Sequence, residues 1–198
     1  MGLNKLWSNR LAEVRGLLAS RYPLVDEKVS LAERRLASAT NAEDFQQVGL
    51  ICRDIWIEFA RAIYSDDFVP SGQDAPSVDQ VNRRIELTLS YFGQFDSREL
   101  RQLVKAIFAY TQRLQHNREA NPTEATRCLL VTALALGEMI LLIEEAAKSI
   151  EWFQRYGVYK CQACGSTKLE EDVAVDYDKD GAMSGTPYLF CTNCGWTA

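Results

Sequence analysis

Residues 128–143 have the sequence CLLVTALALGEMILLI, sixteen residues that are apolar almost all round apart from Gly137 and Glu138. The stretch is short for a membrane span and continues into charged residues at 144, 145 and 148. Such a run is typical of a helix that lies at the centre of a protein or at an interface. We therefore expect a buried helix, no membrane partner, and a homodimer in which this helix forms the seam.

The sequence before this stretch predicts helices almost throughout, because apolar residues recur at every third or fourth position. The clearest pattern, from Phe45 to Ile63, follows Thr40-Asn41-Ala42-Glu43, which we interpret as a capping box with Thr40 at the N-cap. Residues 65–77, SDDFVPSGQDAPS, predict a loop. The fold class is thus mainly α, a bundle of about six helices over residues 1–156. The fifth helix has its predicted buried stripe at Leu100, Leu103, Val104, Ile107, Thr111 and Leu114.

Two cysteine pairs follow the bundle, Cys161-Gln-Ala-Cys164-Gly and Cys191-Thr-Asn-Cys194-Gly, with 26 residues between them. Two residues between cysteines let both sulfurs reach one ion, and four thiolates suit tetrahedral Zn²⁺. The segment resembles a zinc ribbon, so we predict a second domain at residues 157–198. Because thiolates fill all four positions, no site is left for water and the zinc is expected to be structural.

Between the pairs the sequence predicts a β-hairpin, with alternation over Asp172–Tyr177, a turn at Lys179-Asp180-Gly181 and a return at Tyr188–Phe190. Iron is the rival metal, since a helical domain before a CxxCG module is similar to rubrerythrin. A di-iron bundle needs two Glu-x-x-His motifs, and this chain has one histidine. The ribbon segment has three lysines and six acids, which favours protein contact over nucleic acid.

The charge of the 198-residue chain is −5, with 19 basic and 21 acidic residues before position 157. Nonspecific nucleic-acid binding needs a broad basic surface, so any contact with RNA has to be local. Met1–Tyr22 lacks the apolar core of a signal peptide. The paired CxxC spacing indicates a metal site in a reducing compartment. We expect a cytoplasmic protein.

His116 is the only histidine, and it lies off the predicted buried stripe of the fifth helix. Arg113, Arg118 and Arg127 are close in sequence around the Asn121-Pro122 turn. These four residues form a candidate ligand-binding site for an anion such as RNA or a nucleotide. His116 and Arg113 are also the candidates for catalysis, because histidine can move a proton while arginine stabilises phosphate charge. A solvated helix end is the simpler alternative.

Two segments, NAEDFQQVGLICRD at residues 41–54 and FAYTQRLQHNREA at residues 108–120, are similar to bacterial abortive-infection helical proteins, which are related to HEPN domains. The resemblance implies a dimeric helical bundle in anti-phage defence; many such domains are ribonucleases and others are inactive scaffolds. Their catalytic pattern is an arginine, four to six residues, and a histidine. Here two residues separate Arg113 from His116 and fourteen separate Arg101 from it, so the catalytic pair does not carry over.

These observations lead to three functional hypotheses. The first is a non-catalytic binding or scaffold component of a defence-type system, whose helical domain dimerises and binds a partner or anion while the ribbon makes protein contacts. The second is a metal-independent HEPN-type ribonuclease toxin that uses His116. The third is a structural subunit of a larger complex.

Overall fold

The computed structural model describes residues 2–92, 98–156, 158, 161–166, 168–177 and 183–197. Within these residues the chain is mainly helical and ends in a small antiparallel hairpin, which confirms the predicted fold class. A single 3-10 turn, Asp66–Phe68, interrupts the loop before the fourth helix. The elements are α1 Gly2–Arg21, α2 Pro23–Ser38, α3 Ala42–Ile63, α4 Val81–Tyr91, α5 Arg98–His116, α6 Pro122–Tyr156, β1 Leu169–Tyr177 and β2 Met183–Cys191.

The chain divides into two compact units, residues 1–143 and residues 144–198. The sequence predicts a boundary at 156/157, where helix α6 ends, whereas the compact units divide within that helix. The first unit is the helical bundle, and the second contains the hairpin.

The core of the helical unit is built around α3, which packs against α2, α4 and α5. Its apolar residues recur at helical spacing and therefore share one face. The predicted buried face, Phe45 to Ile63, is confirmed, and Gly49 and Ala60 join it. The buried residues of α3 are Phe45, Val48, Gly49, Cys52, Ile55, Trp56, Phe59, Ala60 and Ile63.

Helix α6 contributes its apolar run to the same core, which confirms the central position expected from the sequence. Its buried residues include Cys128, Ala133, Leu136, Met139 and Ile140. By length and composition its segment Pro122–Lys148 could cross a membrane, but half of the most apolar window is buried inside the protein. A core helix passes the same test, so the hydropathy alone does not indicate a membrane.

The α3 N-cap is one residue later than predicted. The cap is Asn41, whose side-chain oxygen accepts a hydrogen bond from the backbone N–H of Asp44 at 3.0 Å. The Asp44 carboxylate in turn accepts hydrogen bonds from the backbone N–H and hydroxyl of Thr40. Asparagine and aspartate therefore take the roles assigned to Thr40 and Glu43, since both sequences fit a capping box.

The predicted stripe of α5 is wrong at Leu103, which is exposed. Phe108 is buried in its place, together with Val104, Ile107, Thr111 and Leu114. The apolar stripe of α5 is wider than the surface that α3 and α4 cover, so periodicity alone cannot distinguish its edge from its centre. The capping residues expected before α5, Asp96 or Ser97, lie outside the described residues.

The hairpin pairs β1 with β2 in antiparallel register, from Leu169 opposite Cys191 to Tyr177 opposite Met183. Leu169 and Leu189 are buried at the base of the hairpin, whereas the described positions beyond them are exposed or half-buried. A Cβ atom on Gly185 would lie 2.7 Å from a Val173 methyl, so glycine lets the valine lie across the neighbouring strand. The predicted turn at residues 179–181 lies outside the described residues.

Candidate metal centre

Each cysteine pair lies on its own tight turn. In the first turn the backbone N–H of Cys161 donates to the Ser166 carbonyl at 2.8 Å, and that of Gly165 donates to the Cys161 carbonyl at 2.9 Å. Residues 191–196 repeat both bonds at 2.7 Å. Gly165 and Gly195 have φ angles of 71° and 75°, in the left-handed region that favours glycine. The glycine after each CxxC therefore lets the turn close.

The two turns bring the sulfur atoms of Cys161, Cys164, Cys191 and Cys194 within 4.8 Å of one another. Two separations join the turns: 3.5 Å between the Cys161 and Cys194 sulfurs, and 3.7 Å between those of Cys164 and Cys191. Tetrahedral Zn²⁺ with Zn–S bonds of about 2.3 Å separates its sulfurs by about 3.8 Å. The four cysteines can therefore hold one metal ion of that size.

The electrostatics of the cluster also favour a bound cation. A backbone hydrogen bond from Ser166, followed by one from the Asn193 side chain, lowers the pKa of the Cys164 thiol to about 6. The backbone of Trp196 lowers the pKa of Cys194, but hydrogen bonds with the other thiols and burial raise it to about 12. Neighbouring thiolates repel one another, so all four ionise together only with a cation among them.

The hydrophobic core around these turns is very small. Its buried residues are Val158, Cys161, Leu169, Leu189 and Cys191, with Trp196 partly buried against them. Two of the five are themselves candidate metal ligands. A core of this size offsets little of the conformational entropy of the surrounding chain, and a metal ion held by the four cysteines would add folding free energy.

The other predicted site residues, Arg113, His116, Arg118 and Arg127, are all exposed. The Arg113 guanidinium carbon lies 4.8 Å from the centre of the Tyr110 ring, a cation–π contact. Burial raises the pKa of Tyr110, while the charges of Arg127 and Arg113 lower it. Within the part of the chain that the structure describes, no hydrogen bond or ion pair joins His116 to the three arginines.

The turn between α5 and α6 is held by a network that the sequence analysis missed. The amides of Asn117 and Asn121 donate to one carboxylate oxygen of Glu124 at 3.0 and 3.1 Å. The Tyr110 hydroxyl donates to the Glu124 carbonyl, and the Gln46 amide donates to the Asn117 carbonyl. The sequence signal for this network is Asn121 three residues before Glu124, which is the spacing of a capping box. The carboxylate opposes anion binding at this turn.

Cys52 and Cys128, in contrast, are core residues of the helical unit. Both are fully buried, on α3 and α6. A hydrogen bond with Cys128, followed by burial, raises the pKa of the Cys52 thiol well above its usual range. A thiol held in its neutral form is a poor nucleophile and a poor metal ligand.

Comparison with known proteins adds no relative to this picture. No family model, no curated protein and no solved structure matches the chain. The assignment of the four-cysteine centre and of the helical bundle therefore rests on the geometry of this chain.

Proposed function

We propose that this protein is a non-catalytic binding component, with a helical unit that self-associates and a zinc-organised hairpin that contacts a partner protein in the cytoplasm. The observation that carries the proposal is the exposed apolar face of the hairpin. The setting in bacterial anti-phage defence rests on the sequence resemblance of residues 41–54 and 108–120. Both segments are similar to bacterial abortive-infection helical proteins, which are related to HEPN domains.

Zinc is the metal we assign to the centre, in a structural role. Four thiolates in a tetrahedral arrangement suit Zn²⁺, and they leave no coordination position for a substrate or water. The sulfur separations of 3.5 and 3.7 Å support this assignment. The ion would bind Cys161, Cys164, Cys191 and Cys194, and it would fix the base of the hairpin.

Beyond that base, the two strands form a part of the hairpin that we call the arm, and its apolar residues are exposed. Val173, Val175 and Met183 are 51%, 49% and 70% exposed. The register places Val173 opposite Pro187 and Val175 opposite Gly185, so these residues share one face of the arm. A two-stranded hairpin with an open apolar face is marginal in water, and a protein surface over that face would stabilise it.

The charge of the arm favours protein over nucleic acid. Strands β1 and β2 contain four acids, at positions 170, 171, 172 and 176, and no lysine or arginine. Phosphate groups would be repelled by these carboxylates, whereas a partner with apolar residues bordered by lysine or arginine would fit.

Site-specific photo-crosslinking in cells tests the proposal. A photoreactive residue at Val175 is expected to crosslink to a partner protein, because it lies on the apolar face. The same residue at Thr186, on the opposite face of the arm, is the matched control and is expected to give no such product. Failure to crosslink at Val175, or equal products from both positions, would contradict the proposal.

The second candidate function is a metal-independent ribonuclease. It is favoured by His116 and Arg113, which are both exposed on the last turn of α5. The test compares RNA cleavage by wild-type protein and by His116→Ala, in the presence of EDTA and with zinc content measured. We expect no cleavage by either protein. Cleavage that is lost in folded, zinc-loaded His116→Ala would establish the ribonuclease and overturn the non-catalytic proposal.

A further inference from the structure

The outer face of α2 carries two leucines in solvent. Leu24 is 60% exposed and Leu31 is 46% exposed, and their spacing of seven residues places them on the same face of the helix. They border a shallow groove of about 320 Å³. The groove is lined by Leu24, Glu27, Lys28, Leu31, Arg34 and Glu58, which we call the α2 groove.

The charges of the α2 groove differ from the other charges of the same helix. On another side of α2, Asp26 and Glu33 both bind the guanidinium of Arg15 in α1. Glu27 and Lys28, by contrast, form no ion pair within the described residues. Of the two acids and two bases that line the groove, Glu27 and Lys28 therefore lie side by side on α2 between the two exposed leucines, with no ion-pair partner in the described part of the chain.

We infer that the α2 groove binds the α2 groove of a second copy of this chain, with the two helices antiparallel. A two-fold axis between residues 27 and 28 places Leu24 of each copy against Leu31 of the other. The same axis places Glu27 against Lys28 twice, so two leucine contacts and two ion pairs form at once. The inference rests on the self-association in the proposed function and gives it a location.

The charge pattern selects both the occupant and its direction. Parallel helices in the same register would place Lys28 against Lys28 and Glu27 against Glu27, and these like charges repel. In the antiparallel arrangement, Glu27 of each copy faces Lys28 of the other. The same surface is then complementary to itself, as an isologous interface requires. Helix α6, the seam expected from the sequence, uses much of its apolar surface in the core of its own unit.

Charge reversal tests the inference in full-length, zinc-loaded protein by sedimentation velocity. Glu27→Lys alone places lysine against lysine, and Lys28→Glu alone places glutamate against glutamate, so each variant is expected to dimerise roughly tenfold or more weakly than wild type. An equimolar mixture of the two variants is expected to restore the dimer, because every contact is again between opposite charges. Glu119→Lys, at an exposed position outside the groove, is the control.

The apolar contact has a matched control of its own. Leu31 and Leu103 are both 46% exposed, on α2 and α5. Leu31→Asp is expected to dissociate the dimer, whereas Leu103→Asp is expected to leave it unchanged. Because both leucines are exposed, neither substitution requires the core to rearrange.

The outcomes separate this inference from the proposal on which it rests. A wild-type protein that stays monomeric at every accessible concentration overturns both self-association and the α2 interface. A wild-type dimer that is indifferent to Glu27→Lys, Lys28→Glu and Leu31→Asp overturns the α2 interface alone. Loss of the dimer in each charge variant, with recovery in their mixture, supports the inference.

Discussion

The two units of this chain are stabilised in different ways. Among the described residues, the helical unit has a continuous core of thirty buried residues, including Trp56 and Phe59. Within the described residues, the buried cluster around the hairpin has five members, and two of them are cysteines of the candidate metal centre. Apolar burial therefore accounts for the fold of the first unit, whereas the second has four cysteines that could hold a metal ion and little apolar burial beside them.

Because of this difference, we expect the two units to be sensitive to different treatments. A large apolar core is insensitive to chelators and oxidants but sensitive to changes in side-chain volume. A thiolate centre is insensitive to single apolar substitutions at a distance but is lost when one ligand is removed. Changes can therefore be chosen that act on one unit and leave the other folded.

The largest expected effect is the loss of one thiolate. Cys194 is exposed, so Cys194→Ser removes a metal ligand without creating a cavity. Because structural zinc contributes about 10–16 kcal/mol in small zinc-dependent peptides, we expect the hairpin to unfold. NMR signals of Val173 and Leu189 should lose dispersion, while the helical circular dichroism remains.

Gln162→Ser, at an exposed position in the other turn, is the control for that measurement. EDTA added to wild type should reproduce the effect of Cys194→Ser. A hairpin that persists in the variant without bound metal would show that the metal centre is dispensable for its fold.

A smaller effect is expected where Gly137 of α6 lies against Val14 of α1. A Cβ atom on Gly137 would lie 2.5 Å from one methyl of Val14. Gly137→Ala should therefore lower the free energy of unfolding by about 1–3 kcal/mol, as overpacking does. Urea denaturation measures the change, and zinc content should stay constant.

Two further variants make that result specific. Gly16→Ala, also in a helix but with no atom within 4 Å of the added Cβ, should be neutral or stabilising. Val14→Ala combined with Gly137→Ala should be less destabilised than the two single effects added together. Strict additivity would show that the two residues do not meet.

The smallest effect is a pH dependence at the start of α3. The backbone hydrogen bond from Thr40, then its hydroxyl, and the charge of Arg35 hold the pKa of Asp44 below its ordinary value. A lowered folded-state pKa stabilises the fold above the unfolded pKa, and this contribution is lost as pH falls through the folded pKa. The difference in unfolding free energy between wild type and Asp44→Asn should therefore shrink on acidification.

Glu43→Gln, one residue earlier, is the control, because Glu43 forms no hydrogen bond or ion pair within the described residues. Its difference from wild type reports a carboxylate at the same helix end that lacks the Thr40 contacts. An Asp44→Asn difference that stays constant would show that the Thr40 contacts contribute no pH-dependent stability.

Local patterns in the sequence predicted the features that depend on neighbouring residues. The buried face of α3 follows from helical spacing, and the CxxCG turns follow from the distance two residues can span. In both cases the geometry is set within a few residues, so no knowledge of the rest of the fold is needed.

Contacts between distant elements were not predictable in the same way. Leu103 belongs to the apolar stripe of α5, yet it is exposed because that stripe is wider than the surface that α3 and α4 cover. In the sequence, Gly137 only interrupts the apolar run of α6. Its close approach to Val14 of α1 is apparent only in the folded chain. The Glu124 network required the α5–α6 turn to be in place before its amide partners were apparent.

The contact between Val14 and Gly137 also has a consequence for how the chain is made. The ribosome releases α1 long before it synthesises α6, so Val14 lacks this contact while more than a hundred residues emerge. Helices α1 to α5 can form in that interval, but their shared core stays open until residues 128–143 arrive. The bundle is therefore completed late in translation, and the apolar faces of α1 to α5 that pack on α6 stay uncovered until then.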